Sequence, residues 1–82
     1  FKFDIIVEDG LHTFDANKVF LENFIDALKK DGLFIIEDID SKYFREFNEY
    51  INTNRDKYQF MELITIPNEK NKIDNNLIII KK

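Results

Sequence analysis

Cysteine is absent from this chain of 82 residues, which removes disulfides, zinc–thiolate sites and thiol nucleophiles from the functions open to it. A cytoplasmic location is the expectation that fits, since nothing in the chain calls for an oxidising compartment. An excess of basic residues is also lacking: Lys and Arg number 12 against 16 Asp and Glu, for a formal net charge of -4. No broad cationic field is available to draw in a phosphate backbone, so no nucleic-acid partner is expected. No apolar run approaches the roughly 20 residues that span a bilayer as a helix. A membrane partner is therefore not expected, and no secretory signal pattern is visible. An initiator methionine is missing too, because the sequence opens Phe1-Lys2-Phe3; further chain is expected ahead of it.

Apolar residues make up 44% of the sequence and charged residues 34%, and nine phenylalanines are available as core anchors. This is the balance of a globular chain and not of a disordered one. Residues 1–82 make at most one domain, and a domain this small buries a smaller fraction of its surface than a full-sized one. A sizeable site must borrow walls from elsewhere.

Phe3-Asp4-Ile5-Ile6-Val7 is short, β-branched and nearly continuously apolar, the pattern of a strand covered on both faces in a parallel sheet. It ends in the polar turn Glu8-Asp9-Gly10. From Thr13 to about Lys30, Phe20, Phe24 and Leu28 recur at helical spacing, flanked by Leu21, Ile25 and Ala27. Lys29 and Lys30 suit the negative end of that helix, and Gly32 offers a left-handed stop. Leu33-Phe34-Ile35-Ile36 repeats the strand pattern and is again followed by acids, Glu37-Asp38-Ile39-Asp40. Asp40 or Ser41 can cap a second helix with Phe44, Phe47 and Ile51 as its stripe and Tyr43 and Tyr50 at the margin. Tyr58 to Ile66 reads as a strand, Pro67 to Asn76 as a polar loop and Leu77 to Ile80 as a last strand.

The expected fold class is therefore α/β: βαβα plus a C-terminal antiparallel β-hairpin, forming a four-stranded mixed sheet. Two right-handed crossovers in one direction along the sheet put both helices on one face. The other face, carrying Ile5 and Val7, has no cover from this chain. A missing N-terminal half, or self-association through that uncovered face, is the expected partner.

Ligands of open parallel α/β sheets bind outside the carboxyl ends of the strands, where Glu8, Asp9, Glu37, Asp38 and His12 fall. Clustered carboxylates repel one another, a divalent cation relieves the repulsion, and hard oxygen donors favour magnesium or calcium. His12 can accept a proton from a metal-polarised hydroxyl. The plainer alternatives are that Asp9, Glu37, Asp38 and Asp40 are caps and solvated turns, that His12 is a surface residue, and that Gly10 serves a turn. The aromatic pairs Phe20/Phe24 and Phe44/Phe47 read as core.

The runs Phe3-Asp4-Ile5-Ile6-Val7-Glu8-Asp9-Gly10-Leu11-His12, Leu28-Lys29-Lys30-Asp31-Gly32 and Ile35-Ile36-Glu37-Asp38 resemble the patterns "FDIIIDDGSH", "LKPGG" and "YIIEDI". These patterns belong to sugar O-methyltransferases of the macrocin and mycinamicin type, class I S-adenosylmethionine-dependent enzymes. The resemblance is ungapped over about residues 3 to 40. It implies a Rossmann-like methyltransferase fragment in which residues 1–82 are the C-terminal half and the four strands are the fourth to seventh of seven. The loop that cradles S-adenosylmethionine then belongs to the missing half. It further implies Asp9 and Asp38 as Mg ligands, a third carboxylate ligand from the absent half, His12 as general base, and a sugar or other small-molecule hydroxyl as acceptor. Glu8 stands where the pattern has its first Asp, and Leu11 where it has Ser. Two other readings stay open. One is a non-catalytic methyltransferase-like scaffold or interaction module. The other is a Toprim-like Mg-dependent phosphotransfer domain built on Glu8 and Asp38-Ile39-Asp40.

Overall fold

The structure, a computed structural model, describes residues 2–9, 13–65 and 76–82. Strand β1 spans Phe3–Glu8, helix α1 Phe14–Phe24, strand β2 Leu28–Ile36, helix α2 Phe44–Asn54, strand β3 Phe60–Thr65 and strand β4 Asn76–Lys81. Single 3-10 turns at Ile25–Ala27, Ser41–Tyr43 and Arg55–Lys57 adjoin the helices. The strands form one sheet in the order β1-β2-β4-β3. β1 pairs with β2 in parallel, and β4 runs antiparallel to both β2 and β3. The protein is thus a small α/β fold with a mixed four-stranded sheet and two helices, and the expected antiparallel relation of the last two strands holds.

Alternation along the strands decides what is covered. Phe34, Ile36, Met61, Ile78 and Ile80 point to one face and are buried there with Leu21 of α1 and with Phe47 and Ile51 of α2. The ring of Phe14 meets that of Phe47 edge-on at 5.0 Å, so both helices lie on this face. Residues of the opposite parity on β1 are open: Phe3 and Val7 are about half exposed and Ile5 is 57% exposed. The register aligns Ile5 with Leu33 and Val7 with Ile35, and Ile35 with Ile79 across β4, so the uncovered face is apolar across three strands.

The first helix is shorter and differently rotated than the spacing predicts. It ends at Phe24, and Leu28, expected as its last apolar residue, instead opens β2 opposite Phe3 with no exposed surface. The inward stripe is Phe14, Asn17, Leu21 and Ile25, while Phe20 rests edge-on against Phe34, and Phe24, stacked on Phe20, stays 46% exposed. Lys29 and Lys30 lie in β2 and do not close the helix. The cation at that end is Lys82, whose Nζ donates to the carbonyls of Ile25 at 3.1 Å and Leu28 at 2.9 Å. The Leu28 amide also donates to the Ile25 carbonyl, so a lysine distant in sequence adds a second, charged donor at this helix end.

Gly32 likewise has a different role from the one expected. The left-handed residue is Asp31, with φ 66°, and Gly32 does not have positive φ. Between Phe3 and Ile5 the β1–β2 register shifts, so that Leu28 and Leu33 flank an irregular segment of β2. A Cβ at Gly32 would lie 2.8 Å from the Asp4 carbonyl oxygen and 2.8 Å from the Leu28 side chain. Glycine is there for close backbone approach.

The second helix follows expectation. Asp40 Oδ1 accepts from the Lys42 amide at 3.0 Å and caps the 3-10 turn that leads into α2. Phe47 and Ile51 are buried, with Phe44 and Tyr50 packed at their margin. Among the described residues, no helix is long and apolar enough to cross a membrane.

Candidate metal centre at the strand ends

Because β1 and β2 are adjacent and parallel, their carboxyl ends coincide, and the residues that follow them meet. The Glu37 amide donates to the Glu8 carbonyl at 3.0 Å and carries the ladder one step past β2. Beyond it the chain turns at Asp38, whose φ of 55° lies in the left-handed region that aspartate tolerates better than most side chains. The turn is held from β4: Ile39 and Asn76 exchange two hydrogen bonds, the Ile39 amide to the Asn76 carbonyl at 2.9 Å and the Asn76 Nδ2 to the Ile39 carbonyl at 2.9 Å. Ile39 itself is fully buried, which anchors the turn from beneath.

This arrangement brings Asp9, Glu37 and Asp38 together, with one carboxylate oxygen of each lying within 4.8 Å of the others. Asp9 is exposed and the two β2-end acids are half-buried. Three carboxylates at this spacing repel one another in their charged forms, and a hard divalent cation is the ligand that removes the repulsion while accepting oxygen donors.

Asp9 and Asp38, the two expected ligands, are therefore neighbours. Glu37 stands beside them as a third carboxylate of this chain, apart from the one that the resemblance implies from an absent half. Sequence reasoning placed Glu37 on this rim, with a strand-end cap as the plainer alternative, and the resemblance named only Asp9 and Asp38 of this chain as ligands. His12 lies outside the described residues.

Glu8 does not join the rim. It shares the parity of Ile6, so its side chain enters the helix layer, where it is 5% exposed and accepts a hydrogen bond from the Asn17 side-chain amide. Asp40 is also otherwise engaged, as the cap of its 3-10 turn and in a 3.9 Å ion pair with Lys42. The acidic pair on which a Toprim-like arrangement depends is thus divided between a cluster and a cap. Asn17, missed in the sequence, does carry a signal: it is the polar member of the Phe14, Asn17, Leu21 stripe at helical spacing.

Both helices begin at this end of the sheet, and Thr13, Phe14, Asp15, Tyr43 and Glu46 line an open hollow of about 390 Å³ between their first turns. A larger trough of about 580 Å³ runs between α1 and α2, floored by Phe14, Tyr50 and Tyr58. Burial raises the phenol pKa of Tyr50 from its ordinary 10.0 to about 12, helped by the negative charge of Glu22, and burial also raises that of Tyr58, helped by Asp26 and Glu22. Both phenols thus stay neutral at physiological pH.

No protein-family model, no curated protein and no solved structure matches this chain.

Proposed function

We propose that the chain is the acceptor-side half of a class I S-adenosylmethionine-dependent O-methyltransferase of Rossmann-like fold, acting on a sugar or other small-molecule hydroxyl with Mg assistance. The observation that carries this reading is the convergence of Asp9, Glu37 and Asp38 at the carboxyl ends of adjacent parallel strands. The antiparallel β3–β4 pair and the two helices on one face agree with the fold that the resemblance implies. The apolar face bearing Ile5 and Val7 supports the expectation of further structure from an N-terminal half.

The donor set fits magnesium, since all three groups are carboxylates and no softer ligand stands among them. Asp9, Glu37 and Asp38 would hold the ion, and its chemistry when bound is to polarise the acceptor hydroxyl and lower that hydroxyl's pKa. His12, three residues after Asp9 in the sequence, is assigned the removal of the hydroxyl proton. The residues of this chain do not fit S-adenosylmethionine by themselves: its glycines are only Gly10 and Gly32, and Gly32 is consumed by the β1–β2 contact. The cofactor cradle is assigned to the other half, and the 82 residues alone are expected to transfer no methyl group.

The scaffold reading is favoured by two features, the burial of Glu8 in place of a rim carboxylate and Leu11 in place of serine. The two readings separate in an assay of methyl transfer from labelled S-adenosylmethionine to a panel of hydroxyl acceptors, using the protein extended through its upstream residues. Mg-dependent transfer is expected, abolished by Asp9→Asn and by His12→Ala. Undiminished turnover in both variants rejects the assigned roles, and a folded, extended protein that binds no S-adenosylmethionine favours the scaffold.

A further inference from the structure

A carboxylate in the interior of a small helix-and-sheet layer needs a reason, because desolvation opposes it and an apolar pair of similar volume is often no less stable. Glu8 and Asn17 form such a buried polar pair, 5% and 2% exposed, with Asn17 Nδ2 donating to Glu8 Oε2. Their placement suggests the reason. Glu8 is the last residue of β1, and Asn17 lies in the first turn of α1, a position fixed by its own amide donating to the Thr13 carbonyl at 3.0 Å and by the Thr13 cap. The side-chain tie therefore joins the end of β1, which Asp9 directly follows, to the first turn of α1.

The backbone of the same residue faces the other half of the cluster. The Glu8 carbonyl accepts the Glu37 amide at 3.0 Å, one residue before Asp38. Glu8 thus links α1 through its side chain to the end of β2 through its main chain, and Asp9 emerges from the junction. Its side chain is one methylene longer than the aspartate of the related motif, and it spans the gap from the strand end to the helix.

We infer that Glu8 is a positioning residue for the cation site, acting through Asn17 to hold the Asp9 carboxylate against Glu37 and Asp38. The inference rests on the metal reading proposed above. Groups that orient metal ligands without touching the ion typically change metal affinity by about 10- to 100-fold when removed.

The test is a Mn²⁺ titration of the whole chain, with free Mn²⁺ followed by electron paramagnetic resonance and folding followed by circular dichroism. Glu8→Gln keeps the length and the acceptor oxygen, and should bind Mn²⁺ as the unmodified chain does. Asn17→Ala should weaken binding by about tenfold or more. The paired substitution Glu8→Met with Asn17→Leu fills the same space with apolar atoms, so it should fold and show a loss of similar size. Unchanged affinity in the folded paired variant overturns the inference, and so does weakened binding in Glu8→Gln, which would make charge and not position the active property. If the unmodified chain binds no Mn²⁺, the metal reading fails and takes this inference with it.

Discussion

At the scale of single residues, the polar groups that matter are those placed against expectation. Tyr50 is an example whose consequence can be measured. Its phenol titrates near 10 in the unfolded chain and at about 12 in the folded one, chiefly because burial disfavours the phenolate and secondarily because Glu22 is near. A raised pKa for an acid means that the folded state prefers the protonated form. The corresponding stability is fully present below pH 10 and is lost as pH rises through 12. Urea denaturation across that window should show a falling midpoint in the parent and a shallower fall in Tyr50→Phe, with Tyr58 contributing the remainder in the same direction. Parallel profiles for the two proteins would contradict the buried-phenol assignment.

Residue by residue, the site was partly legible. Asp9, Glu37 and Asp38 all stand just after apolar strand patterns, so their meeting at one rim could be read from topology before any coordinates. The left-handed backbone at Asp38 could not, because no local pattern marks it. Glu8 was misplaced for a simple reason: Glu8, Asp9 and Gly10 read together as one polar turn, but alternation sends Glu8 inward and leaves Asp9 outside.

At the scale of elements, β1, α2, β3 and β4 follow their patterns, and the error is concentrated in the passage from α1 to β2. Helical spacing continues past Phe24 to Leu28 in the sequence, and two lysines and a glycine imitate a helix end. Two contacts distant in sequence override that signal. Leu28 is drawn into the core beside Phe3, and Lys82 supplies the cation that the local lysines were expected to supply. No local pattern encodes a bond between residues 28 and 82.

Gly32 belongs to the same passage, and a substitution there tests it. A methyl group would meet both the Asp4 carbonyl and the Leu28 side chain at 2.8 Å, and the carbonyl is backbone in a paired strand. Gly32→Ala should destabilise the fold by about 1–3 kcal/mol through overpacking, read from the urea midpoint. An unchanged or raised midpoint would show that β1 and β2 are not in this close register.

At the scale of the whole molecule, the sheet is finished on one side and open on the other. Leu21, Phe34, Ile36, Phe47, Ile51, Ile78 and Ile80 form a single core under the two helices. Ile5 and Val7, as apolar as their buried counterparts, face outward. The sequence carried this asymmetry plainly, since strands apolar on both faces were paired with helices enough for only one. Under the proposed function the cluster at the strand ends is part of a site: a rim of three carboxylates would hold a cation, and the walls that would choose and enclose an acceptor would come from beyond the two short helices.

The claim on which the account turns is that Asp9, Glu37 and Asp38 hold one hard divalent cation. Anomalous diffraction from crystals grown with Mn²⁺ tests it most directly. The account predicts a single strong peak at the ends of β1 and β2, bonded to all three carboxylates and absent from Asp9→Asn crystals. A well-ordered cluster with no peak, or a peak bound elsewhere on the acidic surface, would contradict it.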